Sequence, residues 1–180
     1  METSTPLNRS ESSETRPPAS DDPLAPYWPQ WWRAAAEPGV DRALRAVFDR
    51  IEAATVERRP RCEQSGRCCR FDQFGHLLYV TGLEAAWTLR HAAAPREGSA
   101  ASLPILRTPE ACPFQTEGLC GIHAVRPTGC RIFFCDPTAE KWQHDLYETT
   151  LNQLRALHER WHIEYRYIEW RAALRSAQTV

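Results

Sequence analysis

The residues of this chain best suited to chemistry are its cysteines, which are crowded into the middle of the sequence. Thiolates are soft donors that bind zinc at about 2.3 Å or hold the irons of an iron–sulfur cluster, and either use needs about four sulfurs brought together. An odd number of cysteines behind no apparent signal peptide argues against a secreted disulfide framework. The sequence therefore predicts that reduced thiols bind metal. The seven candidate ligands are Cys62, Cys68, Cys69, Cys112, Cys120, Cys130 and Cys135.

The thiols fall into two blocks whose composition favours turns. The first block runs from Cys62 to Cys69 and the second from Cys112 to Cys135. Glycines in such blocks let the backbone fold tightly and direct amides at thiolate sulfurs, which stabilises the charged form. The glycines are Gly66, Gly118, Gly121 and Gly129.

Arginines stand beside the cysteines in both blocks. Several thiolates brought together carry negative charge, so neighbouring guanidinium groups are expected to offset part of it. The four arginines are Arg67, Arg70, Arg126 and Arg131.

Two alternatives to metal binding are weaker. One or two of the cysteines could simply fill space in the core, but seven flanked by glycines rather than by apolar periodicity are poorly explained in that way. Zinc-finger and thioredoxin-like templates do not match either, because the chain contains no C-x-x-C pair.

The two blocks resemble the YkgJ-type cysteine-cluster proteins, which are described as zinc- or iron-chelating. That pattern begins C-x-x-C-x-x-C-C, continues through Cys-Pro followed by Phe or Leu and then a glycine-cysteine step, and ends in Arg-Pro followed by C-R-x-aromatic-x-C. The resemblance covers residues 58–140 and implies a metal-chelating function. The positions that match are Cys62, Cys68, Cys69, Cys112, Pro113, Phe114, Gly118, Cys120, Arg126, Pro127, Cys130, Arg131 and Cys135.

One position departs from the family pattern. The second cysteine of the opening motif is Ser65 in this chain, and a serine oxygen is a weak ligand for a soft or borderline metal. The position is dispensable, or the site has lost a ligand, or His123 replaces it.

Two arrangements of the metal are compatible with the spacing. In one, Cys62, Cys68, Cys69 and thiols of the second block enclose a single iron–sulfur cluster. In the other, two zinc ions share the seven cysteines and His123. Because adjacent Cys68 and Cys69 cannot easily place both sulfurs on one tetrahedral ion, an iron–sulfur cluster ranks slightly ahead of zinc.

The elements before the second block are predicted as follows. The aromatic segment Tyr27–Trp32 is expected to dock onto the core, and apolar spacing from Asp41 predicts a helix over 41–58 that Asp41 caps and Pro60 ends. A short strand is predicted over 76–80. Thr81 and Glu84 form a capping box at the start of a helix over 82–92.

The rest of the chain is predicted to be helical apart from its cysteine block. Residues 93–111 lack any period, and the prolines and glycines of 112–135 exclude long elements. Thr138 is expected to cap a helix that extends to about residue 160. Residues 162–170 are compatible with either a strand or a helix. A final turn of helix is predicted over 169–176. One side of the long helix would carry Trp142, Leu146, Leu154, Leu157 and Trp161.

Composition indicates the domain boundaries and the fold class. Residues 1–26 are rich in serine and proline and are expected to be a disordered tail, and residues 27–180 a single cysteine-cluster domain with its motif core at 58–140. The expected fold is mainly α: a small irregular helical domain with a loop-rich metal centre and little β structure. A net charge of −1 predicts no nucleic-acid partner. The lack of a long apolar run predicts no membrane partner and a cytoplasmic protein.

The leading functional hypothesis is a metal-binding protein whose iron–sulfur cluster or zinc ion is structural or redox-active. No dinucleotide fingerprint, P-loop, nucleophile elbow or HExxH helix is present, so the sequence predicts no particular reaction. The first alternative is a metal-dependent, oxidoreductase-like enzyme with an open metal position. The local candidates for the polar groups of its pocket are Asp72, His123, Arg126 and Arg131. The second is a partner-docking module built on Tyr27–Trp32.

Overall fold

The computed structural model of the protein describes residues 22–63, 65–92 and 112–178. The predictions for the chain up to residue 21 and for the aperiodic segment 93–111 lie outside these ranges. The helices are α1 Trp28–Ala36, α2 Pro38–Arg58, α3 Phe71–Phe74, α4 Gly82–Ala92, α5 Thr128–Ile132, α6 Glu140–Arg160 and α7 Trp170–Ala177. The strands are β1 Tyr79–Thr81, β2 Gln115–Thr116, β3 Leu119–Cys120 and β4 Tyr167–Glu169.

The predicted fold class is confirmed, because helices dominate and the strands form only two short antiparallel pairs, β1 with β4 and β2 with β3. Among the described helices, none combines the length and the apolar character needed to cross a bilayer.

The aromatic segment forms helix α1 and packs into the protein's own core. Trp28 and Trp31 are both 0% exposed, and their indole N–H groups donate to the Ser176 hydroxyl at 2.6 Å and to the Glu164 carbonyl at 3.0 Å. The Trp31 ring lies against the start of α4, where a Cβ on Gly82 would meet it at 2.2 Å. The predicted docking of these aromatics onto the core is confirmed.

The packed part of the chain begins earlier than the predicted boundary at Tyr27. Asp22 starts a turn in which its carboxylate accepts from the Leu24 amide at 3.0 Å, and Leu24 packs against the core. Asp22 also accepts a hydrogen bond from Ser176 of α7. These contacts order residues 22–26, which composition alone had placed in the disordered tail.

Helix α2 ends where predicted but begins earlier. Pro38 occupies its first turn, where a missing N–H costs nothing. Asp41 therefore lies inside the helix and does not cap it; its carboxylate accepts from the Trp87 indole at 2.7 Å and from Arg45 at 2.9 Å. The helix ends at Arg58, after which Arg59 adopts a left-handed conformation with φ of 51°.

The capping box is confirmed at the start of α4. The Thr81 amide donates to Glu84 at 2.9 Å, and the Glu84 amide donates to the Thr81 hydroxyl at 3.2 Å. The predicted strand exists but is displaced along the chain, since β1 covers 79–81. It pairs with β4, and this pairing assigns part of the ambiguous stretch 162–170 to a strand.

Helix α6 begins at Glu140 and not behind a Thr138 cap. Thr138 lies in a short 3-10 turn, Pro137–Ala139, and its own amide donates to the Asp136 carboxylate at 2.9 Å. The predicted apolar side is buried at Leu154 and Leu157, and the other three predicted positions are only partly buried. The last helix, α7, agrees with the prediction to within one residue.

Candidate metal centre

The first cysteine block turns its last two thiols inward. Gly66 has φ of +69° and precedes a 3-10 turn over Arg67–Cys69, in which the Cys69 amide donates to the Gly66 carbonyl at 3.1 Å. Cys69 is buried and Cys68 is partly buried. The positive φ favours glycine and reverses the chain just before the thiols.

The second block contains a tight hairpin that the sequence did not predict. Strands β2 and β3 pair Gln115 with Cys120, and the two residues between the strands, Glu117 and Gly118, have φ of 51° and 80°. Positive φ at both central residues is the type I′ geometry that matches the twist of hairpin strands. The hairpin brings Cys120 back beside Cys112.

Two hydrogen bonds to backbone carbonyls join the first cysteine block directly to the second. The Cys112 amide donates to the Cys69 carbonyl at 2.8 Å, and the Gln115 side-chain amide donates to the Gly66 carbonyl at 2.9 Å. The approach is close, because a Cβ on Gly66 would lie 2.3 Å from the carbonyl oxygen of Gly118. Residues distant in sequence are thereby held at van der Waals contact.

Helix α5 positions Cys130 beside the thiols of Cys69, Cys112 and Cys120. Its first amide, that of Thr128, donates to Glu84 Oε1 at 2.9 Å, so the glutamate of the capping box also supports α5. Glu84 is 1% exposed. On the other side, the backbone of α5 packs closely on β1, since a Cβ on Gly129 would lie 3.1 Å from the Tyr79 carbonyl oxygen.

Five of the seven predicted ligands line one small cavity of about 20 Å³. A space of this size accommodates about one water-sized atom. The remaining wall is mostly apolar, with Arg126 as its charged member. The thiols are Cys68, Cys69, Cys112, Cys120 and Cys130, and the other lining residues are Phe71, Ile122, Arg126, Pro127 and Trp170.

The thiols contact one another around Cys69. Its side chain lies within hydrogen-bonding reach of the sulfurs of Cys112, Cys120 and Cys68, and sharing its single S–H proton with them raises the pKa of Cys69 far above its usual range. The same interaction with Cys69 lowers the pKa of Cys68 to about 7 and that of Cys120 to about 6. The pKa of Cys112 is lowered for the same reason.

Backbone and indole N–H groups point at two of these sulfurs. Cys112 accepts from the Phe114 amide and from the Trp170 indole, and Cys120 accepts from the Ile122 amide. In each loop the backbone donor lies two residues after the cysteine. N–H donors directed at sulfur stabilise the thiolate form that a metal requires.

Burial acts in the opposite direction at Cys130. Desolvation raises the pKa of this thiol well above its usual range. The positive charge of Arg126 opposes this effect only in part.

The structure does not bring Cys62 and Cys135 into the cavity. Cys62 is exposed and Cys135 is partly buried. They lie on either side of a hydrogen bond in which the Arg61 amide donates to Asp136 at 2.9 Å. Partial burial, together with the charges of nearby Cys68 and Cys62, raises the pKa of Cys135. These two thiols lie outside the five-thiol site.

Neither proposed substitute for the missing family cysteine faces the cavity. Ser65 and His123 are both exposed. Burial and the charges of Arg126 and Arg131 lower the pKa of His123, and so keep its ring neutral more readily. Of the further residues considered for an open metal position, Arg126 alone lines the cavity; the Asp72 side chain lies outside the described part of the structure.

The donor set fits a thiophilic metal, although the side chains do not already form its coordination sphere. In the described ranges, no group of three or more His, Cys, Asp or Glu side chains is arranged to hold a metal ion. The thiols hydrogen-bond to one another instead, so binding would require Cys69 to lose its proton and the sulfurs to turn toward a common centre. Soft sulfurs, directed N–H groups and a cavity of atomic size support this fit.

Substituting Glu84 tests how the capping box supports the centre. In Glu84→Gln one of the two buried amides, of Thr81 or Thr128, faces an NH₂ group instead of an oxygen. Buried hydrogen bonds to charged groups contribute about 1.5–3 kcal/mol, so we expect a loss of about 2 kcal/mol in the free energy of unfolding by urea. Glu148→Gln, at an exposed position of α6, serves as the control. Equal stabilities for the two variants would contradict the assigned role of Glu84.

Comparison with known proteins adds no relative. No family model, no curated protein and no solved structure matches this chain.

Proposed function

We propose that this protein binds one zinc ion through thiolates of the five-thiol site. Cys69, Cys112 and Cys120 would supply three ligands and Cys130 the fourth, because adjacent Cys68 and Cys69 cannot easily place both sulfurs on one tetrahedral ion. The observation that carries the proposal is that five thiols from two separate blocks line one cavity and contact one another. The resemblance to YkgJ-type proteins, which is carried by these five cysteines together with Cys62 and Cys135, supports metal binding.

Two features favour a single zinc ion over an iron–sulfur cluster. Four sulfurs around one zinc at about 2.3 Å are close neighbours of each other, as are Cys69 and its three partner thiols. A cluster interposes several irons and sulfides between its cysteine ligands, and a cavity of about 20 Å³ is far smaller than such a core.

The surroundings favour a structural rather than a catalytic ion. A catalytic zinc keeps one position open to water or substrate, whereas this cavity is small and walled by apolar side chains together with Arg126. A structural zinc would join the two cysteine blocks and α5, and would stabilise the fold. Because the thiols must remain reduced, the proposal includes a reducing compartment such as the cytoplasm.

Elemental analysis of the purified protein tests this proposal. The protein is isolated under anaerobic conditions from cells supplied with both zinc and iron, and zinc, iron, acid-labile sulfide and visible absorbance are measured. We expect about one zinc per chain, no sulfide and no colour. Iron with stoichiometric sulfide would replace the zinc proposal by a cluster. A folded, colourless protein free of metal would reject metal binding altogether.

A further inference from the structure

Arg126 occupies an unusual position beside the five-thiol site. Its side chain lines the cavity, and its charge lowers the pKa of Cys68 and Cys120, although less than their hydrogen bonds with Cys69 do. Its Nε–H is buried and has no hydrogen-bond partner in the described part of the structure. A buried hydrogen-bond donor left unpaired destabilises the folded protein by about 1–3 kcal/mol. A hydrogen-bond acceptor is therefore expected next to this group.

Positive charge is concentrated around Arg126. Arg131 is 9% exposed, and burial together with the charge of Arg126 lowers its pKa to about 10. The nearby acids that oppose this effect are Glu52 and Glu84. Arg126 and Arg131 are therefore close enough for their charges to repel, and thiolate sulfurs in the cavity would offset that repulsion.

The other arginines of the cysteine blocks already have different partners. Arg67 stacks over Phe74 at 5.3 Å, and Arg70 donates to Gln73 at 3.3 Å. Arg131 donates to the Ala124 carbonyl at 2.8 Å and stacks over the ring of Phe48, although its own buried Nε–H also has no partner among the described residues. These three arginines do not line the cavity, whereas Arg126 does.

We infer that Arg126 is the positioning residue of the metal-loaded site and donates its buried Nε–H to the thiolate sulfur of Cys120. This inference rests on the proposed zinc site. A divalent ion held by four thiolates has a net charge of about −2. The guanidinium offsets part of that charge through a charge-assisted hydrogen bond, which stabilises the anionic metal site and keeps the thiolates compatible with burial.

Zinc competition against a chromophoric chelator tests the inference on the full chain. We expect Arg126→Gln to bind zinc about tenfold more weakly than the wild type, the lower end of the range for lost outer-sphere partners. Arg126→Lys retains the positive charge and is expected to recover part of the loss. Arg70→Gln, which removes an exposed arginine of the first block, is expected to bind like the wild type.

Cobalt substitution separates a role at sulfur from a general effect on folding. Loss of a hydrogen bond to a thiolate raises the energy of the sulfur electrons, so the thiolate-to-cobalt charge-transfer band of Arg126→Gln is expected to move to longer wavelength. Unchanged zinc affinity and an unchanged band in Arg126→Gln would overturn the role of Arg126 while leaving the zinc site intact. Failure of the wild type to bind either metal would instead reject the proposed function itself.

Discussion

Replacing Cys69 with serine is expected to weaken zinc binding by more than about 100-fold, beyond the 10–100-fold range seen when only an outer-sphere partner is lost. Cys69 contacts three other thiols and is the most central of the five, so its loss removes one ligand and disturbs the approach of the others. Because zinc binding contributes directly to folding, the variant is also expected to melt at a lower temperature in the presence of zinc.

Cys62→Ser is the matched control for this experiment. It makes the same chemical change within the same block, but at an exposed thiol outside the cavity. We expect it to retain zinc and to melt like the wild type. Equal zinc affinity in Cys69→Ser and Cys62→Ser would show that the five-thiol site is not where zinc binds.

Gly66→Ala is expected to have the largest effect among substitutions that leave every thiol in place. An alanine there must adopt a left-handed conformation, and its Cβ would lie 2.3 Å from the Gly118 carbonyl oxygen and 2.5 Å from the Gln115 side-chain nitrogen. The carbonyl belongs to the backbone of the hairpin, so relief requires the two cysteine blocks to separate. Overpacking of this kind costs about 1–3 kcal/mol in addition to the strain of a positive φ.

Gly75→Ala isolates the conformational part of that cost. Gly75 has a nearly identical φ of +67°, but its Cβ would have no neighbour within 4 Å. Urea unfolding is expected to show a loss of about 1 kcal/mol for Gly75→Ala and a loss at least about 1 kcal/mol larger for Gly66→Ala. Only Gly66→Ala is expected to weaken zinc binding. Equal effects on both measurements would contradict the close docking of the two blocks.

Helices α2, α4, α6 and α7 could be predicted from sequence because local signals specify them, whereas α1, α3 and α5 were not predicted. The capping box at Thr81 and Glu84 sets the start of α4, and the apolar spacing of α2 together with Pro60 locates its end. The errors occur where two local signals compete. Asp41 and Thr138 both resemble helix caps, but the preceding prolines, Pro38 and Pro137, begin the helical turns first.

The site could be predicted only in part. Cysteine type and spacing identified the candidate ligands, and the structure brings five of them together. The exclusion of Cys62 and Cys135 could not be read from spacing, because it depends on how the chain near Arg61 docks onto Asp136. The β2–β3 hairpin was also missed, since the strands are two residues each and lack any detectable alternation.

The supporting residues of the site were the least predictable. Trp170 donates to Cys112 from a helix far beyond the last cysteine, and no sequence signal connects the two. Glu84 was identified as a cap for α4, but its second role at Thr128 depends on tertiary packing. Arg126 was one of four candidate counter-charges, and only its contacts distinguish it from the others.

The coordination of the bound metal tests the central claim most directly. X-ray absorption at the zinc edge of the purified protein is expected to show four sulfur neighbours at about 2.3 Å, with no second metal nearby. A coordination shell dominated by nitrogen or oxygen would contradict the claim that thiols of the two blocks enclose one ion.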